Sequence, residues 1–232
     1  MRRLGKRRLE PATADHYYDI IDAALKTDAF RPRALFERYN IEVIATTEGP
    51  LDPLDHHRAI RNSGWNGKVV TAYRPDPVLD PDDPRFIANV QRFCAMAGED
   101  AGSYAGYLRA HEKRRADFRE AGATSTDHGH PSAFTASLPR AEIEALYAKV
   151  TTGAVTKAEA ELFRGHMLTE MARMSIEDGM VMQLHPGVHR NHNAAVLARF
   201  GKDKGADIPT AGEFVTALKP LLDLYGTDPR LT

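Results

Sequence analysis

Hydrophobic and polar positions alternate between two patterns along this chain. Four short runs of apolar and β-branched residues, of the kind that form buried strands, lie at residues 40–47, 68–73, 122–126 and 180–184. Elsewhere apolar residues recur every three or four positions, which predicts helices at 15–25, 31–39, 52–63, 83–97, 104–120, 140–150, 157–175 and 211–225. Two opening helices followed by alternating strands and helices predict an α/β fold with a parallel sheet.

Two arrangements of such a sheet fit the pattern, an open doubly wound sheet and a closed barrel. No Gly-x-Gly-x-x-Gly motif follows a predicted strand, which weakens the dinucleotide-binding version of the open sheet. All four strands end in polar residues, as barrel strands do at the face that carries the active site. The barrel is therefore favoured, and the open sheet stays the alternative.

The predicted domain is a partial (β/α)8 TIM barrel over residues 1–232. It has an N-terminal helical segment at 1–39 and about four βα units at 40–232. Four strands are half of a complete barrel, and a half barrel leaves two strand edges unpaired. We therefore expect the chain to be the central part of a larger enzyme, as a homo-oligomer or with a completing segment.

The composition gives no reason to expect a membrane or nucleic-acid partner. Hydrophobic residues make up 42% of the chain, and no apolar run approaches the roughly 18 residues of a membrane span, so no membrane partner is expected. The net charge of -1 gives no reason to expect nucleic acid, and the basic residues at 2–8 are expected to form a solvated tail. The one cysteine, Cys94, excludes an internal disulfide and favours the cytoplasm.

Side chains that can bind anions, protons or metals follow two of the strands. His185 ends the fourth strand, and a neutral imidazole there can bind a metal or move a proton, although it can also be a capped core histidine. Arg74 and Arg190 carry planar charged groups that suit a carboxylate. For Arg74 the alternative is an ion pair with Asp76 or with a neighbouring strand end.

The third strand leads into Asp127-His128-Gly129-His130. Residues two apart in a strand point the same way, so His128 and His130 are able to share a metal. Gly129 and Pro131 instead indicate a loop held by local hydrogen bonds. Both interpretations stay open.

These segments together resemble the uronate isomerases, the glucuronate isomerase family of the amidohydrolase superfamily. Five segments carry the resemblance in order, at 36–47, 50–57, 64–76, 122–129 and 182–193. They include paired threonines, an Arg-Pro-Asp motif and a His-Pro-Gly motif, and they span nearly the whole chain. Glu48-Gly49 departs from the pattern, because many members have two aspartates there.

The resemblance implies a (β/α)8 barrel and an aldose–ketose isomerase. Such an enzyme interconverts D-glucuronate with D-fructuronate, and D-galacturonate with D-tagaturonate, by moving a proton between C2 and C1. This chemistry needs a base near C2, an electrophile for the carbonyl oxygen and a clamp for the C6 carboxylate of the small-molecule uronate. The implied catalytic residues are Arg74, His185 and Arg190. The implied substrate-binding residues are Thr46, Thr47, Asp76, Asp127, His128, His192 and Asn193.

The family's divalent metal, such as zinc, binds to a His-x-His pair at the end of the first barrel strand and an aspartate at the end of the last. Neither is in this chain, and His128 and His130 belong to another strand. His185 is the one candidate ligand, so we expect no complete metal site and weak or no activity from the chain alone. Two alternatives remain, another metal-dependent hydrolase of the superfamily and an inactive or binding-only fragment.

Overall fold

The computed structural model describes residues 8–231, and the basic residues before position 8 lie outside this range. The main elements, numbered in chain order, are α1 Ala14–Leu25, α2 Pro32–Arg38, β1 Val43–Glu48, α3 Asp55–Asn62, β2 Lys68–Tyr73, α4 Asp76–Leu79, α5 Phe86–Ala97, α6 Tyr104–Glu120, β3 Ser125–His128, α7 Arg140–Val150, α8 Lys157–Asp178, β4 Val181–Leu184, β5 Val188–His189, α9 Ala194–Phe200, β6 Ile208–Pro209 and α10 Lys219–Tyr225. None of these helices is long and apolar enough to cross a lipid bilayer.

The main sheet has the strand order β1-β2-β3-β4. β2 pairs with β3, and β3 pairs with β4, both in parallel. A doubly wound sheet reverses its strand order at a switch point, whereas barrel strands follow the chain order. The observed order therefore decides between the two predicted arrangements in favour of the barrel.

The register of the sheet brings Ala72, Ser125 and Val181 into one row. Side chains two positions apart share a face of a sheet. Arg74 and Asp127 therefore follow this row on the same face, at the carboxyl ends of their strands.

The chain divides into two compact units. One holds the described residues up to Ile44 together with Ile60–Val69, and the other holds Ala45–Ala59 together with the chain from Val70 onward. In the first unit, the ring of Trp65 packs edge-on against Phe36, and its indole nitrogen donates a hydrogen bond to Glu37 over 3.1 Å. These contacts hold the segment before β2 against α2.

The core of the second unit joins β2 to the helices α5 to α8. Tyr73 of β2 is fully buried, and its ring packs edge-on against Phe118 of α6 with centroids 5.0 Å apart. α8 begins at a capping box, in which Thr156 and Glu159 each accept a backbone hydrogen bond from the other. It ends at Gly179, whose φ of 75° suits glycine and lets the chain turn at once into β4.

Arg115 and His166 are among the charged or titratable side chains that are buried in this unit. Arg115 is 1% exposed, and its guanidinium donates to Asp178 over 2.6 Å and to Ser175 over 3.0 Å. His166 of α8 accepts a hydrogen bond from the backbone of Leu138 at Nδ1. Burial lowers the pKa of His166 to about 4, so the ring is neutral at physiological pH.

The predicted helix at 211–225 is wrong over its first half, since α10 covers only Lys219–Tyr225. The side chain of Glu213 accepts hydrogen bonds from the backbone of Thr216 and Ala217, which gives that segment a local alternative to a helix. The strand predicted at 122–126 begins later and runs to His128. The short strands β5 and β6 and the helix α9 were not predicted.

Candidate active site

Side chains of Arg74, Asp127 and His185 meet at the carboxyl ends of β2, β3 and β4. Asp127 lies between the other two. One of its carboxylate oxygens is 2.5 Å from His185 Nε2, and the other is 3.4 Å from Arg74 Nη1. Parallel strands bring their carboxyl ends to the same edge of a sheet, so this meeting follows from the register. Arg74, Asp127 and His185 are called the strand-end triad below.

Asp76 fixes the guanidinium of Arg74 from the other side. Arg74 Nε donates to Asp76 Oδ2 over 2.8 Å, so both ion pairs considered for Arg74 are present. Partial burial opposes the charge of Arg74, but the hydrogen bond from Arg74 to Asp76 and the charges of Asp76 and Asp127 outweigh it and raise the pKa of Arg74. The side chain is still 31% exposed, which leaves a permanent positive charge accessible to a dissolved anion.

The backbone of Gly129 lies close to the side chains of Arg74, Asp76 and His185. Its backbone N–H donates to both carboxylate oxygens of Asp76, over 3.3 and 3.1 Å. A Cβ at this position would lie 2.3 Å from Arg74 Nη2 and 3.1 Å from His185 Cε1. Only glycine lets the backbone pass this close. The sequence showed Gly129 only as a loop former, and its role was missed.

A second polar group lies at the end of β1. The hydroxyl of Thr46 is 2.9 Å from His57 Nε2 and donates to Glu48 over 3.1 Å. Thr71 of β2 also donates to Glu48. Thr47 alternates to the opposite face and is exposed. Glu48 and His57 were not among the predicted site residues, although Glu48 stands where the family pattern differs.

Asp76, His128 and His130 form a third group. One ligand atom from each lies within 4.8 Å of the others, so the group is able to hold a metal ion. Burial lowers the pKa of both histidines, and the charge of Asp76 opposes this only at His130. Both rings are therefore neutral, which is the form that binds metals.

The remaining predicted residues lie on the segment that contains β5. Arg190 Nη1 is 3.5 Å from Asp207, and the ring of His192 packs against His189 with centroids 5.2 Å apart. Asn193 caps α9, because its side-chain oxygen accepts from the backbone of residues 195 and 196. In the described chain, this segment pairs with residues 206–209 rather than with the strand-end triad.

Sequence comparisons place these features in a known group of enzymes. Residues 4–232 match the sequence model of the glucuronate isomerase family. The chain is 64% identical over 225 residues to a uronate isomerase of Rhizorhabdus wittichii, and 63% identical over 223 residues to one of Xanthomonas campestris pv. campestris. These matches cover 97% and 96% of this chain but 48% and 47% of the relatives. The chain thus spans about half the length of the curated relatives it matches.

Two solved structures of uronate isomerases are similar in fold to this chain. A crystal structure of glucuronate isomerase from Caulobacter crescentus matches 97% of this chain and 47% of its own, with a TM-score of 0.93 and 58% identity. Uronate isomerase from Thermotoga maritima matches with a TM-score of 0.89 at 24% identity, which supports the fold alone. The predicted fold class, part of an α/β barrel, is confirmed. The chain belongs to the glucuronate isomerase family, as its strand-end motifs predicted.

Proposed function

We propose that this chain supplies the central part of a uronate isomerase. The reaction interconverts D-glucuronate with D-fructuronate, and D-galacturonate with D-tagaturonate, by moving a proton between C2 and C1. The observation that carries the proposal is the strand-end triad, which puts a cation, a carboxylate and an imidazole together at one edge of the sheet. The identity of 64% to a uronate isomerase supports it.

His185 is proposed to handle the proton. The carboxylate of Asp127 contacts one nitrogen of its ring and thereby orients the imidazole. The side chain is 44% exposed, so a substrate can reach the ring. A base at this point removes the proton from C2 to give an enediolate and returns it to C1, while the proton of the C2 hydroxyl moves to the oxygen on C1 and the carbonyl forms at C2.

Arg74 is proposed to bind the negative charge of the substrate. Its planar group matches either the C6 carboxylate or the oxygen of the enediolate. Arg190 is proposed as a second cation for the same purpose, because its side chain is also partly exposed. Asp76 contributes by holding Arg74 in place.

The other side chains that are proposed to contact the substrate differ in their exposure to solvent. Thr47, His192 and Asn193 are exposed or half-exposed and offer groups that hydrogen-bond to sugar hydroxyls. Thr46 shares its hydroxyl with Glu48 and His57. His128 is fully buried, so contact with a substrate requires the loop after β3 to open.

A divalent metal such as zinc is part of the proposal for the whole enzyme, where a bound ion would supply a Lewis acid for a carbonyl oxygen. Among the described residues, His185 is the predicted ligand for that centre, and its Nε2 already contacts Asp127. One donor does not hold an ion, so this chain's residues do not by themselves fit the family's metal centre. No step above depends on it.

The chain is also proposed to act with a completing segment or a second copy. β1 and β4 are the outer strands of the sheet, and Val181 on β4 is 41% exposed. In a closed barrel both strands would be paired and this side chain covered. A cytoplasmic location belongs to the same proposal, with a single buried cysteine as its support.

A chimeric enzyme tests the proposal. The matching segment of the Rhizorhabdus wittichii enzyme is replaced by residues 4–232 of this chain, and conversion of D-glucuronate is followed by NMR. We expect turnover by the chimera, and its loss in Arg74→Gln and His185→Asn variants. Arg85→Gln, which removes an exposed ion pair with Asp83, is the matched control and should stay active. A folded chimera without turnover would overturn the proposal.

A further inference from the structure

The loop after β3 buries two imidazoles whose nitrogens lack partners. Both ring nitrogens of His130 and Nδ1 of His128 have no hydrogen-bond partner in the described chain. His130 is 6% exposed and His128 is fully buried. A buried imidazole without a partner loses the hydrogen bonds that water would give it, so native proteins rarely leave one in this state. A bound ligand would supply the missing partner for these nitrogen atoms.

The third member of the group is a carboxylate at the start of α4. Asp76 Oδ1 is 4.0 Å from His130 Nε2. His128 Nε2 is engaged with Thr126 over 2.9 Å, whereas its Nδ1 has no hydrogen-bond partner among the described residues. Zinc binds imidazole nitrogen and carboxylate oxygen at about 2.0–2.2 Å, so a small contraction of the side chains brings these donors around one ion.

The residues around Asp76, His128 and His130 leave space for an ion, and their charges do not oppose a cation. A cavity of about 30 Å³ adjoins the group, which is enough for one water as a further ligand. Arg164 lines this cavity, but its charge is offset by ion pairs with three carboxylates, from Asp80, Asp82 and Glu161. Arg74 donates to Oδ2 of Asp76, whereas Oδ1 accepts a 3.3 Å hydrogen bond from the backbone of Gly129 and keeps a second lone pair for an ion.

We propose that Asp76, His128 and His130 bind one divalent metal ion of the zinc class. Two neutral imidazoles with one carboxylate favour zinc, cobalt or nickel over magnesium and calcium, which prefer oxygen ligands alone. The site shares Asp76 and His128 with the proposed function, but zinc binding to the chain does not depend on that function. It differs from the metal centre implied by the family resemblance, because it uses β3 and α4 and not His185. A bound ion would tie α4 to β3 and hold Asp76, which positions Arg74.

The test uses the 232-residue chain, freed of metal with a chelator and titrated with zinc chloride by calorimetry. Cobalt chloride gives a second readout, because a tetrahedral cobalt site with nitrogen ligands absorbs visible light. We expect one equivalent to bind, with affinity reduced by at least about 100-fold in His130→Asn. Asp76→Asn, which keeps the shape of the side chain, should weaken binding in the same way and covers the case in which the histidine variant fails to fold.

Two matched controls separate this site from others. His56→Asn changes an exposed histidine of α3 and should bind zinc as the unchanged chain does. His185→Asn should also leave binding unchanged. The absence of zinc binding, or binding lost in His185→Asn but kept in Asp76→Asn, would overturn the proposal.

Discussion

The substitution Gly129→Ala isolates the geometry of the strand-end triad from the stability of the fold. The added Cβ would lie 2.3 Å from Arg74 Nη2, 3.0 Å from Asp76 Oδ2 and 3.1 Å from His185 Cε1. Gly129 does not have the positive φ that only glycine adopts easily, so alanine brings no backbone strain. The whole effect therefore comes from the displaced side chains.

The expected magnitude follows from these distances. Carbon and nitrogen atoms in ordinary contact are about 3.5 Å apart, so the guanidinium of Arg74 must move by about 1 Å. A misplacement of about 1 Å costs about 100-fold in rate, or about 2.7 kcal/mol in the activation barrier. The side chain of Arg74 is long and partly exposed, so it can move at little cost to the fold, and we expect a loss of at most about 1 kcal/mol in the free energy of unfolding.

The assay measures kcat/KM and the melting temperature in the chimeric enzyme described above. Gly49→Ala is the matched control, because a Cβ at Gly49 meets nothing nearer than Pro77 Cγ at 3.9 Å. We expect the Gly129 variant to lose about 100-fold in kcat/KM with nearly unchanged melting, and the Gly49 variant to lose neither. Equal kcat/KM in the two variants would refute the argument that Arg74 must stay in place.

Three further predictions concern the core. Burial lowers the pKa of His166 from 6.5 to about 4, so between these pH values the unfolded chain binds a proton at His166 and the folded chain does not. The free energy of unfolding should therefore fall by up to about 3 kcal/mol as the pH is lowered through this range. Urea unfolding at pH 7 and pH 5 should show a smaller loss in His166→Gln, and an identical loss would contradict the assignment. Asp178→Asn should cost about 3–5 kcal/mol in urea unfolding, because it leaves the charge of Arg115 buried without a carboxylate to balance it. Arg115→Met should cost less, since Asp178 is 17% exposed and can be hydrated, and the reverse order would be inconsistent with this reasoning. Gly165→Ala should destabilise α8 by about 1–3 kcal/mol despite the better helix propensity of alanine, because its Cβ would lie 2.7 Å from Phe134. A higher melting temperature for that variant would show that Phe134 moves aside freely.

Helices and strands in which apolar residues recur regularly were predicted well from the sequence. The strand at 68–73 and the helices at 104–120 and 140–150 have the bounds that were predicted. Large apolar side chains of these three elements, such as Tyr73, Tyr107 and Leu146, lie in one core, so the local pattern and the tertiary environment agree. The same agreement allowed the strand ends, and with them Arg74 and His185, to be placed.

The parts that could not be predicted depend on contacts between distant residues. The segment 211–218 has apolar spacing typical of a helix, but the backbone carbonyl of Ala217 accepts hydrogen bonds from Thr135 instead. The closeness of Gly129 to Arg74 and His185 arises only when three strands are aligned. The sequence does not decide whether His130 belongs to a loop or to a metal site, because the distance between His130 and Asp76 depends on the fold.

The parallel register of β3 makes assembly of the strand-end triad an all-or-none event. Arg74, Asp127 and His185 are each more than fifty positions apart in the chain, so no local folding step can bring them together. A shift of β3 by one residue would turn Asp127 to the helix-covered face and bring a neutral neighbour, Thr126 or His128, in its place. Arg74 and His185 would then face each other without a carboxylate between them. Misaligned folding intermediates of this chain would thus lack the triad altogether rather than hold a weakened version of it.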